Sequence, residues 1–552
     1  MVSKVIQYTT IVFISTVAIS SIAYAAWWDS KRRNDPAFRK KIRKEHKRIH
    51  KHAKAAEERA KQQQTEDLKE ALEMIKVEPV PPTAEEREQY FMQHVGVGEQ
   101  LSVQGPAFYV PAALSFYRAL RVYPSPVELI MIYQKTVPEP IFKIVMDLTS
   151  MDTRERAEGY YHYFPPPYMN VEVKQILQLG EPGESEKGPR RIVLVATKDL
   201  QPGEEIYKEH PVVAQLDMDL EGTSRYCSHC FKEILPFQSL SPVHDLLLST
   251  YCSGECEMLA STQSQNLLFG RGPRVPDGVA LDQKERSEEA EIERRAYQQA
   301  FADFLKASNW TQVLLVARFC ARQVAEEVKK LEPQPLSLLE RSRLPEPAAG
   351  SPNYTFFDHV ERLKYLDIKP IEMVMLENHL LKDVLSKAVD GLEELVSLDK
   401  YLMMKGKMAY NAIGVAFAGG RDDKPEPKGH IETWEWSRTP YGTNRQIGSA
   451  LYRVSSNLTH SCSPSVRPTF PTGTNELHLV ANRAISKGEE LTMAYTYTHA
   501  DGDESEEDAR RRRRTRLARG WRFACECETC AGKKEGLPGV ATLPQPILEH
   551  AI

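Results

Sequence analysis

The sequence lacks a strong net charge, a large stock of cysteines and any long apolar run beyond its first thirty residues. Its 552 residues carry a formal net charge of −4, so nothing in the whole chain favours nucleic-acid binding, and none is expected. Only nine cysteines are present, mostly at short spacings that favour metal ligation over a disulfide framework. The charged and apolar fractions are those of soluble protein, and the length predicts several domains.

An uncharged stretch, Val5 to Trp28, is long enough to cross the ~30 Å hydrocarbon core of a bilayer as a helix. Trp27 and Trp28 end it, where amphipathic rings prefer the membrane interface, and a lysine- and arginine-rich run over 31–48 follows. Because positive flanks stay in the cytosol, we predict a transmembrane signal anchor over 1–28 with the bulk of the chain facing the cytosol. A cleaved signal peptide ending near 23–25 is the alternative.

A charged stalk over 29–83 is predicted to end in a proline-rich hinge. From 84 to 150, apolar residues recur at steps of three and four, which predicts a small all-α domain. Its segment "AALSFYRALRVYP" has the residue order of a tetratricopeptide helix pair, so we expect a tetratricopeptide-like fold. A plain mini-domain of four or five helices is the alternative, because one repeat unit cannot stack into a solenoid.

Eight of the nine cysteines form two sets of four. Paired thiolates at these spacings suit two structural zinc ions, each with tetrahedral coordination, and thiolate ligation suits a reducing compartment. Four unrelated buried cysteines are the alternative for the first set. Cys320 lies in an apolar helical segment and is predicted to be a buried thiol. The first set is Cys227, Cys230, Cys252 and Cys256, and the second is Cys462, Cys525, Cys527 and Cys530.

Strand and helix patterns mix around these cysteines. Alternating apolar residues at 192–195 predict a strand, and helical periods dominate 262–410. We therefore predict a linker over 151–190, an α+β domain over 191–535 and a tail over 536–552. Within the domain we place a zinc finger at about 225–260, a helical insertion at about 262–440 and a zinc-binding segment at 521–532. The run over 501–516 is predicted to be an exposed acidic-to-basic helix, with a nuclear-localisation signal as the alternative.

The N-terminal motifs carry a resemblance. "AWWDSKRRNDPAFRKKIRK", "FMQHVGVGEQLSVQG" and "ALRVYPSPVELIMIYQKTVPEPIFKIV" together resemble the presequence receptor of the mitochondrial outer-membrane translocase, the twenty-kilodalton class, over roughly 1–150. The resemblance implies a single-pass protein of that membrane, with other translocase subunits as partners.

The same resemblance implies a groove that takes the apolar face of amphipathic presequences. Glu99 beside the groove would favour basic presequences electrostatically. The stretch "PAFYVPAA" departs from the family pattern between the first two helices. Carried over by motif, the groove residues are Phe91, Met92, Val95, Val122, Leu129, Ile132 and Tyr133.

The C-terminal motifs carry a second resemblance. "KDLQPGEEIYKEHPVV", "THSCSP", "ISKGEELTMAY" and "WRFACECETC" resemble, in this order, a SET-domain lysine methyltransferase of the split SET–MYND type, over about 190–535. The finger resembles a MYND-type finger reduced to one zinc. The resemblance implies S-adenosylmethionine as cofactor and a protein lysine as substrate. It implies cofactor-binding roles for Thr459, His460 and Ser461, a catalytic role for Tyr495, and a place in the lysine channel for Trp521 or Phe523.

Two departures from the second family keep its activity open. Thr459 stands where the family has Asn and cannot offer an amide fork. The family's Gly-x-Gly should fall near 190–194, where this chain has "RRIVL", and side chains there could block the pocket. The hypothesis is an import receptor fused to a methyltransferase-like module. Its alternatives are a catalytically inactive SET scaffold, a methyltransferase merely tethered to a membrane, and an artificial joining of two neighbouring genes.

Overall fold

The computed structural model describes residues 65–79, 81, 84–123, 126–177, 190–270, 288–331, 354, 356–388, 396–417, 419–426, 434–500 and 502–531, with isolated positions between 40 and 63. The predicted anchor over 1–28 and the tail over 536–552 lie outside these residues. Among the residues that are described, no helix is both long and apolar enough to span a membrane. The chain divides into two compact units, Met1–Glu155 and Arg156–Ile552.

The first unit is helical wherever it has regular structure. Helical residues 65–77 are followed by α1 (Ala84–Ser102), α2 (Tyr109–Val122), α3 (Pro126–Thr136) and α4 (Glu139–Tyr163). The residues of α4 from Arg156 onward belong to the second unit. Helix α2 is the central element because it buries Ala112, Ala113, Phe116 and Leu120. These pack with apolar residues of its neighbours: Leu68, Leu72, Ile75, Leu129, Tyr133, Ile141, Val145 and Leu148.

The close approach of α1 to α2 depends on Gly98. A Cβ atom at Gly98 would lie 2.9 Å from the ring of Phe116. That ring meets Tyr133 of α3 edge-on, with 5.1 Å between ring centroids. Phe116 is therefore held between α1 and α3, and any side chain larger than hydrogen at Gly98 would displace it. Two residues earlier on the same helix, a Cβ at Gly96 would have nothing within 4 Å.

Gly96→Ala and Gly98→Ala are a matched pair that tests this packing. Each gains about 1 kcal/mol of helix propensity, but the Gly98 variant also overpacks Phe116, at a cost of about 1–3 kcal/mol. In hydrogen–deuterium exchange, we expect the Gly96 variant to protect the amides of α1 and the Gly98 variant to fail to do so. Equal protection in both variants would contradict the close approach.

The second unit is built on small sheets. Strands β1 (Val171–Leu177) and β2 (Arg190–Ala196) form an antiparallel pair, with Val171 opposite Ala196 and Leu177 opposite Arg190. Two further sheets have three antiparallel strands each. In one, the central strand β9 (Leu477–Ala481) pairs with β3 (Glu205–Glu209) and β8 (Val466–Thr469). In the other, the central strand β6 (Gly448–Leu451) pairs with β4 (Val213–Leu216) and β5 (Ile413–Val415). The parallel pair is β7 (Thr459–His460) with β10 (Thr492–Met493).

Helices pack beside these sheets. They are α5 (Gly254–Ala260), α6 (Glu288–Ser308), α7 (Thr311–Leu331), α8 (Phe356–Glu361), α9 (Glu372–Ser386) and α10 (Leu398–Asn411), with α11 (Glu506–Gly520) and α12 (Glu528–Ala531) following the last strand. Helix α7 is almost fully buried from Val313 to Ala321. Cys320 lies on this helix, and burial raises the pKa of its thiol to about 12. It is thus the buried, unreactive thiol that the sequence predicts.

The prediction of several domains with mixed helices and strands is confirmed, although element boundaries differ. The linker predicted over 151–190 contains the end of α4 and all of β1, and Tyr160 and Met169 are buried in the same core as β2. The helices of the predicted insertion end at Asn411, after which β5 returns to the sheet. The sequence patterns did not predict β1 or β5. Strand β1 lies between proline- and glycine-rich segments, and β5 has only three residues.

Candidate functional sites

The first cysteine set forms a compact cluster. The sulfur atoms of Cys227, Cys230, Cys252 and Cys256 all lie within 4.8 Å of one another. Cys252 lies 3.6 Å from Cys230 and 3.7 Å from Cys256, sulfur to sulfur. A zinc ion with tetrahedral bonds of ~2.3 Å separates its sulfur ligands by about 3.8 Å. The four thiols therefore fit a structural zinc.

This finger is anchored from two directions. The side chain of Asn475 donates to the carbonyl of His229 at 2.8 Å, and its backbone N–H donates to the carbonyl of Cys230 at 2.8 Å. From the other side, Arg318 of α7 donates to the carbonyls of Ser228 and Ala214, both at 3.1 Å. The metal loop thus joins the sheets to the helical insertion.

The second cysteine set brings distant segments together. Cys462 follows β7, whereas Cys525, Cys527 and Cys530 follow α11. The Cys462 sulfur lies 3.4 Å from that of Cys530 and 3.9 Å from that of Cys525, and all four lie within 4.8 Å of one another. These thiols also fit tetrahedral zinc. Since protein sulfur fills every position, the metal would be structural.

Zinc content tests both assignments. By inductively coupled plasma mass spectrometry, the purified chain should hold about two zinc ions. Cys227→Ser and Cys462→Ser should each lose one, because three thiolates bind a structural zinc poorly. Cys320→Ser, the matched control, should keep both. A Cys462→Ser protein that retains two zinc ions would exclude the second site.

Tyr495 and His460 lie side by side next to the second cluster. Their ring centroids are 5.3 Å apart. The backbone N–H of Tyr495 donates to Nδ1 of His460 at 3.1 Å, and Nε2 of His460 lies 3.3 Å from the sulfur of Cys462. Phe523 completes the group, 5.9 Å from the His460 ring. Both nitrogens of His460 thus face groups of the fold.

The phenol of Tyr495 is enclosed. Its hydroxyl donates to the carbonyl of Leu458 at 2.6 Å. The guanidinium of Arg438 lies over its ring at 4.3 Å, and Trp521 packs against it at 5.4 Å. Burial raises the pKa of Tyr495 well above its ordinary value, although the positive charge of Arg438 opposes this. Tyr495 therefore stays a neutral hydrogen-bond donor.

Thr459 takes part in a charged network. Its hydroxyl donates to Glu490 at 2.5 Å. The same carboxylate receives both arms of the Arg191 guanidinium, at 2.9 and 2.7 Å. Arg191 belongs to β2, where the resemblance predicts glycine. A bidentate pair of this kind is among the stronger side-chain hydrogen bonds, so it fixes β2 against Thr459.

The three residues that the resemblance assigns to S-adenosylmethionine all have partners within the fold. The hydroxyl of Thr459 donates to Glu490, and both ring nitrogens of His460 have neighbours within the fold. The hydroxyl of Ser461 accepts from the backbone N–H of Ser463 at 3.1 Å. The backbone N–H of Ser461 donates to the carbonyl of Met493. The polar groups assigned to the cofactor are therefore engaged by other residues of the fold.

A cavity of about 880 Å³ lies on another side of Tyr495. Its walls include Tyr495 and Trp521 but none of the three predicted cofactor residues. Trp310, Trp434 and Trp436 also line it, and sequence reasoning did not single them out. The sequence did contain a signal for two of these tryptophans, because "WEW" at 434–436 places two copies of a rare residue in one loop.

In the first unit, the predicted groove residues divide by exposure. Met92 and Ile132 are 64% and 47% exposed, and Glu99 is exposed as well. Burial, assisted by the nearby Glu99 carboxylate, raises the pKa of Tyr133, whose hydroxyl donates to the carbonyl of Phe116. Phe91 and Val95 are half-buried, whereas Val122, Leu129 and Tyr133 belong to the core.

Comparison with known proteins gives two family matches. Residues 11–162 match the model of the MAS20 protein import receptor, and residues 192–496 match that of the SET domain. The chain is 40% identical over 152 residues to the mitochondrial import receptor subunit tom20 of Neurospora crassa, covering 28% of this chain and 83% of that protein. It is 38% identical over 130 residues to TOM20 of Saccharomyces cerevisiae, covering 23% and 70%. These matches confirm both resemblances.

Proposed function

Because the chain belongs to the MAS20 protein import receptor family through residues 11–162 and to the SET-domain family through residues 192–496, we propose that it receives presequences at the mitochondrial outer membrane and carries its SET domain as a binding scaffold. The anchor over 1–28 would hold it in that membrane in a single pass, with both units in the cytosol. Other subunits of the translocase would be its partners, as the names of its relatives suggest.

Exposed apolar side chains beside the core support the receptor role. Met92 follows the half-buried Phe91 on α1, and Ile132 precedes the buried Tyr133 on α3. Phe91 and Tyr133 pack in one core, so their exposed neighbours can flank one apolar surface. The apolar stripe of an amphipathic helix would cover these residues, and Glu99 would attract its basic face.

Met92→Glu and Ile132→Glu test the groove. Each replaces an apolar anchor by a carboxylate and should weaken presequence binding at least tenfold, since burying such a side chain contributes about 1.5–3 kcal/mol. Fluorescence anisotropy of a labelled presequence peptide, with the full chain in detergent, measures the affinity.

Met375→Glu is the matched control, because Met375 is 42% exposed on α9 of the second unit. It should bind the peptide as the unaltered protein does. If Met92→Glu and Ile132→Glu also retain full affinity, the presequence does not use this surface.

The network around Glu490 supports the scaffold role of the SET domain. Arg191 lies in the stretch 190–194, near which the family has Gly-x-Gly, and Thr459 stands where the family has asparagine. Both bind the Glu490 carboxylate. A cofactor would have to break a bidentate ion pair to reach these groups. The cost of leaving Glu490 partly buried and unpaired opposes that step. A protein-lysine methyltransferase is the alternative function.

Calorimetric titration with S-adenosylmethionine separates the two roles. We expect no saturable binding by the full chain with both zinc ions present. The double variant Arg191→Gly with Thr459→Asn places a glycine in the stretch 190–194 and restores the family asparagine. It should gain measurable binding, because the bidentate pair between Arg191 and Glu490 no longer has to be broken. Saturable binding by the unaltered chain would exclude the scaffold role and justify a search for a methylated lysine substrate.

A further inference from the structure

A smaller cavity of the second unit, of about 120 Å³, lies at the base of the finger. It shares no lining residue with the cavity beside Tyr495. The wall of this finger-base cavity includes the stretch 210–214, Ser228 and His229 of the finger, residues of α7, and Arg453 after β6. Its volume is several times that of one water molecule, which is about 30 Å³, so a small polyatomic group fits inside.

Arg453 is the wall residue that the fold leaves without a partner. Its Nε atom is shielded from water and has no acceptor. Arg318 and Arg513 also have a shielded Nε atom, but each donates hydrogen bonds through a terminal nitrogen. Within the part of the chain that the structure describes, Arg453 makes no hydrogen bond and no ion pair. A half-buried guanidinium in this state calls for an acceptor that the fold does not supply.

Two carboxylates attract Arg453 without pairing with it. Glu209 accepts from the backbone N–H groups of Val454 and Ser455, at 2.7 and 3.0 Å, and is thereby engaged elsewhere. Glu326 of α7 is half-buried in the cavity wall and forms no ion pair among the described residues. Burial lowers the pKa of Arg453, although the Glu209 carboxylate opposes this effect. The charge of Arg453 is therefore incompletely compensated.

Positive charge predominates in the wall. Three guanidinium groups line the cavity, those of Arg318, Arg322 and Arg453, against the one carboxylate of Glu326. Arg318 lies 3.9 Å from Glu221 and also donates to backbone carbonyls, and Arg322 donates to a backbone carbonyl as well. Carbonyl groups satisfy hydrogen-bond donors but do not neutralise their charge. The wall therefore attracts an anion.

Neutral donors add to this charge. The side chains of Gln263 and Ser264 line the cavity, and neither makes a hydrogen bond within the described part of the chain. Gln263 is half-buried and Ser264 is buried. An amide and a hydroxyl can each donate to an anion beside the guanidinium of Arg453. Uncommitted donors thus come from two separate segments of the wall.

The number and placement of these donors favour one kind of anion. A phosphate group carries a charge of roughly −1.5 to −2 near neutral pH and three strong acceptor oxygens. Arginine binds it bidentately, which leaves further oxygens for other donors. A carboxylate is planar and offers only two oxygens, so it would reach fewer of the donors. A volume of about 120 Å³ admits the phosphate but not a nucleoside attached to it.

We propose that the finger-base cavity binds a phosphate group, either as inorganic phosphate or as the phosphorylated side chain of a partner protein. Arg453 would be its principal contact, with added hydrogen bonds from Gln263 and Ser264. Bound phosphate would join the finger, α7 and the segment after β6 through one ligand. This inference goes beyond the receptor and scaffold roles and depends on neither of them.

Calorimetric titration of the full chain in detergent tests the proposal. The probes are inorganic phosphate, Nα-acetyl-phosphoserine methylamide and the corresponding unphosphorylated serine compound, at an ionic strength held constant with sodium chloride. We expect saturable binding of a phosphate-bearing probe and none of the serine compound. Tighter binding of the phosphoserine probe would assign the cavity to a modified side chain, and tighter binding of inorganic phosphate would assign it to the free ion. Absence of saturable binding by both would overturn the proposal.

Variants show whether the cavity is the site. Arg453→Met removes the charge, keeps an unbranched side chain and should weaken phosphate binding at least tenfold. Arg453→Lys keeps the charge without the planar fork and should weaken it about threefold. Glu326→Gln removes the carboxylate of the wall and should tighten binding about twofold. Arg467→Met is the matched control, at an exposed arginine of β8 that donates to Asn482, and should bind as the unaltered protein does. Full affinity in Arg453→Met would place the phosphate elsewhere and refute the site.

Thermal unfolding separates a binding role of Arg453 from a structural one. Without phosphate, Arg453→Met should unfold at the same temperature as the unaltered protein or higher, because it removes a half-buried charge that has no partner. Phosphate should raise the unfolding temperature of the unaltered protein and leave that of the variant unchanged. A variant that is destabilised in the absence of phosphate would show that the guanidinium serves the fold, and would overturn the proposal. A zinc content of two confirms that each variant retains its finger, and none of these outcomes alters the interpretation of the S-adenosylmethionine titration.

Discussion

The second cysteine cluster is the constraint on which the SET region depends. It ties a loop after β7 to a segment more than sixty residues later, with Cys462 3.4 Å from Cys530. Structural zinc contributes apparent binding free energies of roughly 10–16 kcal/mol in small peptides, whereas an ordinary hydrogen bond contributes about 1 kcal/mol. A zinc ion held by these thiols would therefore outweigh individual contacts of this segment, such as that between Trp521 and Tyr410. His460, Tyr495 and Trp521 keep their arrangement because the segment after α11 is fixed there.

Elsewhere the second unit relies on buried charge and polar contacts. Arg438 is almost fully buried, and it donates to the carbonyls of Tyr410 and Ser456 and to the side chain of Asn411. Buried cations are tolerated only when such partners satisfy them. Arg318 plays a comparable part between the finger and α7. In the first unit a half-buried pair serves similarly, since Arg118 of α2 donates to both carboxylate oxygens of Glu78 at 2.8 and 2.6 Å. Ring packing around Phe116 adds to it.

Sequence patterns identified the features that follow from spacing or from motifs. The eight cysteines could be divided into two sets because ligands of one ion occur in pairs along the chain. The helices of the first unit could be recognised from their apolar period. The network of Arg191, Thr459 and Glu490 could not be found in this way, since an ion pair between residues 299 positions apart has no local pattern. Likewise, the tryptophan cavity combines segments from α6, the 434–446 loop and the end of α11.

Sharing one carboxylate between Arg191 and Thr459 also constrains how this domain can change over evolutionary time. If arginine alone were lost, the Glu490 carboxylate would keep only the Thr459 hydroxyl of these two partners. If threonine alone were replaced, the guanidinium would still occupy the place where the family has glycine. Each single step is therefore unfavourable or without benefit, so under the proposed scaffold role the network would not be dismantled by gradual substitution.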